Sequence, residues 1–144
     1  MTVAAILHDK GRHIVAVDPA ARIAEVVATL AARRIGAAPV LDRAGQLLGI
    51  VSERDIVIAL AQHGAAALDR TAAQLMTRNV STASPATTVK EAMAMMTEGR
   101  FRHLPVMEAG MLVGIVSIGD VVKARIAQQA QDVDSLRAYV AGAA

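Results

Sequence analysis

The chain of 144 residues contains no cysteine and no tryptophan, and Phe101 and Tyr139 are its only phenylalanine and tyrosine. Without cysteine, disulfide bonds, thiolate metal sites and a cysteine nucleophile are all excluded. The scarcity of aromatic rings removes the stacking platforms on which proteins bind single-stranded nucleic acids. The four histidines are not spaced as a ligand cluster, so we expect no bound metal. We also expect that no cofactor is required.

Charge is scattered along the chain, and the net charge is only +2. This pattern offers no electrostatic case for binding nucleic acid or an anionic membrane. The densest basic spots, Arg33-Arg34 and Arg100 with Arg102, are more typical of solvated helix ends. No apolar run reaches the roughly 18 residues of a membrane span, and the N-terminus lacks the apolar stretch of a signal peptide. We therefore expect a soluble, cytoplasmic protein.

The chain has only four prolines, and they form two pairs with the same separation of 66 residues. Two pairs of glycines repeat this register with a separation of 65 residues. So many positions in register indicate a tandem duplication of a unit of about 60 residues. Each half alone would bury too little surface, so we expect the halves to share one core. The pairs are Pro19 with Pro85, Pro39 with Pro105, Gly45 with Gly110, and Gly49 with Gly114.

In each repeat, short apolar or alternating segments flank a stretch whose apolar residues recur at helical spacing. This pattern predicts the order β-α-β-β-α for each repeat. The fold class is therefore α+β, with two repeats packed as one pseudo-twofold module and an extended C-terminal helix. The repeats are predicted as residues 1–68, with an N-terminal helix, and residues 69–144, with the C-terminal helix. Predicted strands cover 14–17, 39–41, 47–51, 80–83, 105–107 and 112–116; helices cover 22–34 and 88–99 and begin near Ser52 and Ser117.

The last helix outlasts its counterpart in the first repeat and is predicted over residues 122–140. Its seam positions are spaced 4, 3, 4, 3 and 4 residues apart, which is a heptad pattern. The seam either packs on the chain's own core or forms a contact in a homodimer. The seam consists of Val122, Ile126, Gln129, Val133, Leu136 and Val140.

Two strand-to-helix junctions, residues 49–55 and 114–120, share the form G-h-h-S-x-x-D, in which h is apolar. Serine and aspartate three residues apart at a helix start lie on one face. A carboxylate accepts two hydrogen bonds, as the cis diol of a ribose requires, and helix N-termini attract anions. The junctions therefore suit a nucleotide. The alternative is an ordinary N-cap in each repeat, with the aspartate as the acidic residue of the first turn.

The order and spacing of these motifs resemble the CBS domain, named after cystathionine β-synthase, and the paired copies look like a Bateman module. The resemblance covers nearly the whole chain. The chain is similar to small stand-alone CBS-pair proteins. Single motifs are loose, but their succession across two copies is specific. The carriers are Leu75-Met76-Thr77 with Val80 and Pro85, the run Arg102 to Val106, both junctions, and the ending Leu136 to Gly142.

The resemblance implies a regulatory module that binds AMP, ADP, ATP, NAD or S-adenosylmethionine in a cleft between the repeats. It implies that an aspartate of the junction holds the ribose and that its serine meets phosphate. Residues around the second proline of each repeat line the adenine, and a threonine of the first strand reaches the ligand, whereas Ala16 breaks that pattern. Carried over, these residues are Asp55, Asp120, Ser52, Ser117, Ala37, Ala38, His103, Leu104, Pro105 and Thr82.

The two junctions differ next to the aspartate, where Arg54 in the first repeat stands against Gly119 in the second. A guanidinium beside Asp55 can pair with a phosphate, so we expect that site to prefer phosphorylated ligands. The Asp120 site should discriminate less, unless Arg102 or His103 supplies the missing charge. The alternative is that Arg54 points to solvent.

Three classes of function remain open at this point. A nucleotide sensor without chemistry of its own, homodimeric and acting on an unknown client protein, leads. A nucleotide-independent interaction module is the second. An enzyme would need a nucleophile, a base and an orienting group at one place, for which His103 near Ser117 or Asp120 is the best candidate; we expect no catalytic residues.

Overall fold

The computed structural model describes residues 1–143 and, for Ala143, the backbone alone. Two two-stranded sheets and six α-helices make up this part of the chain, which confirms the mixed α and β fold class. A 3-10 segment, Gly64–Asp69, was not predicted. The elements are α1 (Val3–Lys10), α2 (Ile23–Arg33), β1 (Ala37–Leu41), β2 (Leu47–Ser52), α3 (Glu53–His63), α4 (Ala72–Leu75), α5 (Val89–Gly99), β3 (His103–Glu108), β4 (Met111–Ser117) and α6 (Ile118–Ala143).

The chain folds into two compact units that exchange their leading helices relative to the sequence repeats. The Asp55 unit contains His13–Ser81 together with Met107–Val113. The Asp120 unit contains Met1–Arg12, Thr82–Val106 and the chain from Gly114 onward. Helix α1 therefore belongs with the second repeat and α4 with the first, while the division at residues 68 and 69 stays a prediction drawn from sequence similarity.

The core of the Asp55 unit forms where the apolar stripe of α2 meets the β1–β2 hairpin. The strands pair antiparallel, with Ala37 opposite Ser52 and Pro39 opposite Ile50. Burial of each large aliphatic side chain contributes about 1.5–3 kcal/mol, so this cluster dominates the stability of the unit. Its members are Val17, Ile23, Val26, Leu30, Ala38, Val40, Val51, Ile56, Ala72 and Met76.

The Asp120 unit buries the residues of α5 that match those of α2 in the repeat register, with an added contribution from α1. The N-terminal segment is joined to this unit by hydrogen bonds from Val3 N–H to the Thr87 carbonyl (2.8 Å) and from Val89 N–H to the Met1 carbonyl (3.1 Å). Because α1 presents apolar residues at helical spacing, it closes the core from one side. The buried residues are Val3, Ile6, Leu7, Ala83, Val89, Ala92, Met96, Leu104, Val106, Val116 and Val121.

The strands predicted over 14–17 and 80–83 are reduced to single parallel bridges, Val17 with Val40 and Ala83 with Val106. Val17 N–H donates to the Pro39 carbonyl at 3.0 Å, and Ala83 N–H donates to the Pro105 carbonyl at 2.8 Å. The next hydrogen bond of each parallel ladder would need the N–H of Pro39 or Pro105. Proline has no N–H, so neither strand extends.

Both basic spots that contain Arg34 and Arg100 are helix ends, as predicted. Arg34 and Arg100 cap the C-termini of α2 and α5 in the left-handed conformation, with φ of 54° and 55°. A cation at this end also complements the helix dipole. The match between the repeats therefore extends to a backbone conformation that residues other than glycine rarely adopt.

The apolar seam of α6 does not pack on the core of this chain. Val122 is 41% exposed, and Ile126, Val133, Leu136 and Val140 are between 48% and 62% exposed. Of the two possibilities that the heptad spacing left open, packing on the chain's own core is therefore wrong. Among residues 1–143, no helix combines the length and the apolar character that crossing a membrane requires.

Gly49 permits a close approach of Met76 and Thr77, which follow α4, to β2, and we expect Gly49→Ala to destabilise the protein. A Cβ at this position would lie 2.5 Å from the carbonyl oxygen of Thr77 and 2.9 Å from the sulfur of Met76. Such overpacking costs about 1–3 kcal/mol, whereas alanine in an unobstructed strand would stabilise. Thermal unfolding should show a Tm lower by several degrees.

Gly114→Ala is the matched control, because the three atoms nearest to a Cβ there all belong to the side chain of Leu7, the closest at 2.6 Å. A leucine methyl group can shift, but a backbone carbonyl held in a hydrogen-bonded bridge cannot do so cheaply. We expect the loss in Tm for Gly114→Ala to be the smaller of the two. Equal losses would contradict the role given to the Thr77 backbone.

Candidate functional site

The junction between β2 and α3 is a complete capping box. Asp55 N–H donates to the hydroxyl of Ser52 at 3.3 Å, and Ser52 N–H donates to Asp55 Oδ2 at 2.8 Å. The Ser52 hydroxyl also donates to Oδ2, at 3.0 Å. These bonds satisfy backbone donors that a helix start otherwise leaves unpaired. The N-cap interpretation of the motif is therefore correct for this unit, and it orients the carboxylate.

The second carboxylate oxygen of Asp55 faces a neutral donor. The hydroxyl of Thr77 donates to Oδ1 at 3.3 Å, a long hydrogen bond between exposed groups. Thr77 is positioned by its backbone, which exchanges two hydrogen bonds with Ile50, at 2.8 and 3.0 Å. Because a hydroxyl rotates freely, Oδ1 can accept a hydrogen bond from another group instead.

The strand beside this junction supplies mostly backbone. Ala37 pairs with Ser52 and Ala38 with Val51 across the hairpin, and Glu53 N–H donates to the Gly36 carbonyl at 2.9 Å. Ala37 and Ala38 are buried, so neither can offer more than a methyl group and main-chain atoms. Arg54 is exposed on the first turn of α3, beside Asp55. The structure thus brings all five predicted residues of the Asp55 unit to one end of the hairpin.

The junction between β4 and α6 repeats the capping arrangement but adds an ion pair. Asp120 N–H donates to the hydroxyl of Ser117 at 3.1 Å, and Ser117 N–H donates to Asp120 Oδ2 at 2.8 Å. The same oxygen accepts a hydrogen bond of 2.6 Å from the ammonium of Lys10. Lys10 also donates to the carbonyl of Ile115 at 2.9 Å.

The strand beside this second junction carries the remaining predicted residues. Ile118 N–H donates to the Arg102 carbonyl at 2.8 Å, which is the counterpart of the bond between Glu53 and Gly36. His103 is half-buried, Arg102 is exposed, and Leu104 and Pro105 are buried. Thr82 is exposed and precedes Ala83, whose N–H bonds to the Pro105 carbonyl.

The pKa of Asp120 lies below its ordinary value of 3.8. Burial by itself raises this pKa, because it disfavours the charged form. The hydrogen bond and charge of Lys10, together with the backbone and side-chain hydrogen bonds of Ser117, outweigh that effect. The carboxylate is therefore ionised near neutral pH and held by a cation.

Sequence reasoning missed two residues that contact the junction aspartates. Thr77 stood in the Leu-Met-Thr run but was given no role. Lys10 lies in a segment that is three residues longer in the first repeat, measured from Leu7 to Pro19 against Met76 to Pro85. This insertion lengthens α1 relative to α4. It is the sequence signal that could have pointed to an additional contact from α1.

Both units therefore present a serine and an ionisable aspartate at a helix start beside the end of a buried strand. Such a site accepts hydrogen bonds from hydroxyl groups and offers the N–H groups of a first helical turn to an anion. In the described part of the chain, no group of three or more histidine, aspartate or glutamate residues is arranged to hold a metal ion. The geometry suits binding through hydrogen bonds and charge.

The duplicated hairpin-and-helix units define a tandem-repeat protein, and a family model identifies the repeat. The model of the CBS domain matches residues 7–62 and again residues 72–127. Together these matches cover more than half of the chain. The chain belongs to the CBS-domain family, as a tandem pair of CBS domains, which confirms the family predicted from its motifs.

Three relatives illustrate the similarity. The CBS domain-containing protein CBSX3, mitochondrial, of Arabidopsis thaliana is 33% identical over 122 residues, which are 82% of this chain and 59% of that protein. The crystal structure of the CBS-domain containing protein ATU1752 from Agrobacterium tumefaciens has a TM-score of 0.85 and 49% identity, covering 87% of this chain and 99% of that one. The CBS domain protein PAE2072 from Pyrobaculum aerophilum, complexed with AMP, has a TM-score of 0.74 and 32% identity, covering 83% and 89%.

The chain spans about three fifths of the length of the Arabidopsis relative. The structural relatives from Agrobacterium and Pyrobaculum, in contrast, are matched over nearly their whole length. The similarity therefore establishes the tandem module itself.

The lowered pKa of Asp120 predicts a pH-dependent contribution to stability. A carboxyl whose pKa is lower in the folded state stabilises that state above the unfolded pKa of about 3.9, and the contribution is lost as the pH falls through the folded pKa. We expect Asp120→Asn to have a lower Tm than the wild type at pH 7. The difference should shrink as the pH falls below about 4, as thermal unfolding between pH 7 and pH 3 will measure.

Asp132→Asn provides the control, because Asp132 is an exposed carboxylate further along α6. Its Tm should follow that of the wild type throughout the titration. A difference for Asp120→Asn that stays constant down to pH 3 would show that the side chain acts through packing, with no contribution from its charge.

Proposed function

We propose that this chain is a regulatory module that binds adenine nucleotides (AMP, ADP, ATP, NAD or S-adenosylmethionine) and acts on a partner protein. The observation that carries this proposal is the pair of junctions, each with a serine and an aspartate fixed at a helix start. The AMP complex of the Pyrobaculum relative supports it, because that protein shares the fold at 32% identity.

Each group of the ligand has a candidate partner in each unit. The carboxylates of Asp55 and Asp120 would accept hydrogen bonds from the ribose diol, and the hydroxyls of Ser52 and Ser117 would donate to phosphate. Backbone atoms of Ala37-Ala38 and of His103 to Pro105 would border the adenine. Thr82 adds a hydroxyl in the Asp120 unit, and Arg54 adds a guanidinium for phosphate in the Asp55 unit.

We propose a binding role without catalysis. In both junctions the serine hydroxyl already accepts a hydrogen bond from the helix backbone. A ligand held by such a site would act by favouring one of several conformations of the module or its assembly, to the extent that it binds that conformation more tightly.

Replacing the aspartate of an occupied site should weaken nucleotide binding. A hydrogen bond to a charged group contributes roughly 1.5–3 kcal/mol, which corresponds to about 10- to 150-fold in affinity. We expect Asp55→Ala or Asp120→Ala to show this loss by isothermal titration calorimetry with AMP, ADP, ATP, NAD and S-adenosylmethionine. Asp55→Asn and Asp120→Asn keep the size of the side chain and should show the same trend.

The matched control is Asp132→Ala, which removes an exposed carboxylate of α6 and should leave every affinity unchanged. Thermal unfolding of each variant separates loss of the site from loss of the fold. If neither junction variant alters the affinity for any of these ligands, the assignment of the ribose is wrong. Capture of a client protein by a chain that binds no nucleotide would support an interaction module instead.

We further propose that the module is a homodimer in which the α6 seam contacts a second copy. The support is the heptad spacing together with exposure of the apolar seam on the isolated chain. Burying such a stripe against its own copy in a symmetric dimer removes apolar surface from water in both subunits. Tyr139, which is 75% exposed, lies next to the seam and would be partly covered with it.

Charged substitutions in the seam should dissociate this dimer. We expect Val133→Glu combined with Leu136→Glu to sediment near the monomer mass of 15.0 kDa, because the dimer would have to bury four carboxylates. Gln131→Glu combined with Ala138→Glu places the same charges on the opposite face of α6 and should leave the dimer intact. A wild-type chain that sediments as a monomer at high concentration would contradict the proposal.

A further inference from the structure

Lys10 is the last residue of α1 and reaches the aspartate of the second junction across 110 residues of sequence. Its ammonium donates to Asp120 Oδ2 at 2.6 Å and to the Ile115 carbonyl at 2.9 Å. Both partners lie in the Asp120 unit, as does Lys10. Two hydrogen bonds hold the ammonium of Lys10 at the junction, so we treat Lys10 as part of the site.

The first junction has a neutral partner instead of a cation. Asp55 meets the Thr77 hydroxyl at 3.3 Å, through its other oxygen, Oδ1. A neutral hydroxyl at this distance is a weak partner, and rotation releases it. The charge-assisted bond of Lys10 to Asp120 is shorter, and such bonds are about twice as strong as neutral ones. A hydroxylated ligand thus meets only neutral donors at the Asp55 carboxylate, whereas at Asp120 one oxygen, Oδ2, is held by an ammonium.

We propose that Lys10 is a specificity-determining residue of the Asp120 site, which excludes nucleosides and admits nucleoside phosphates. The inference rests on the proposed function, since it assumes that Asp120 receives a ribose diol. A diol that bonds to both oxygens of the carboxylate has to displace the ammonium from Oδ2, and a diol alone then leaves that ammonium without its anionic partner. A nucleotide brings a phosphate as well, and this phosphate takes over the ammonium as the ribose takes over the carboxylate.

The geometry of the junction allows this exchange. Lys10 has a flexible four-carbon stem, and its side chain is 38% exposed, so the ammonium can swing without disturbing the core. The hydroxyl of Ser117 and the N-terminus of α6 lie beside Asp120 and suit the phosphate. A Cβ on Gly119 would approach only the Ser117 hydroxyl, at 3.6 Å, which leaves open space next to it.

Lys10 changes what we expect of the two sites relative to each other. Comparison of Arg54 with Gly119 suggested that the Asp120 site discriminates less between AMP and adenosine. That comparison did not include Lys10, which brings a cation to the Asp120 site from α1, outside the junction motif. Since Arg54 has no hydrogen bond to Asp55 among those described, adenosine should bind the Asp55 site and be rejected at the Asp120 site.

The test isolates the second site by placing all variants in an Asp55→Asn background. Calorimetry with AMP and with adenosine then gives the ratio of the two dissociation constants. Lys10→Met removes the ion pair that competes with adenosine and also the cation that the phosphate of AMP would contact. Because an exposed ion pair changes an equilibrium constant by up to about fivefold, we expect this variant to lower the preference for AMP about fivefold or more. Adenosine should bind more tightly than in the parent, and Lys10→Arg should restore the preference.

Lys90→Met is the matched control, since Lys90 is exposed on α5, and it should leave the ratio unchanged. An unchanged ratio in Lys10→Met, with AMP still bound, overturns the role of Lys10 and leaves the proposed function intact. If the wild-type chain binds AMP and the Asp55→Asn parent does not, the Asp120 site takes no nucleotide and the role of Lys10 is again overturned. If the wild-type chain also binds none of the adenine nucleotides, the proposed function fails as well.

Discussion

The hydrogen bonds between serine and aspartate at the starts of α3 and α6 organise each unit. They terminate a strand, begin a helix and hold a carboxylate at its first turn, and the first N–H of that helix bonds to the carbonyl that precedes the neighbouring strand. The same atoms that satisfy the helix backbone are the ones that the proposed ligand would contact. Fold and binding therefore draw on one set of donors and acceptors, and a ligand can only add to or replace hydrogen bonds already present.

The duplication produces two junctions with the same local chemistry and different surroundings. What differs is the segment that reaches each aspartate from another part of the chain, a short helix and Thr77 in one unit and a longer helix and Lys10 in the other. Local sequence thus determines that a carboxylate is present, and distant sequence determines whether it is paired with a charge. The two halves of a duplicated protein can diverge in this way while their motifs remain alike.

Elements with strong local signals could be predicted from the sequence. The spacing of Ile23, Val26 and Leu30, repeated in α5, located two helices to within a residue or so, because one face of each had to be buried. The strand predicted over 14–17 was shortened because Pro39, a residue of the partner strand, lacks the N–H that a longer ladder requires. The contact of Lys10 with Asp120 joins residues that share no local pattern, so no periodicity could reveal it.

The exchange of leading helices has a consequence for synthesis on the ribosome. Most of the Asp55 unit is contiguous in sequence, so it can begin to fold soon after Ser81 emerges. Helix α1 emerges before the Asp55 unit but finds its partners only when α5, β3 and the start of α6 have followed. Until then Val3, Ile6 and Leu7 remain in contact with water or with a chaperone, so a helix made before the Asp55 unit is buried after it.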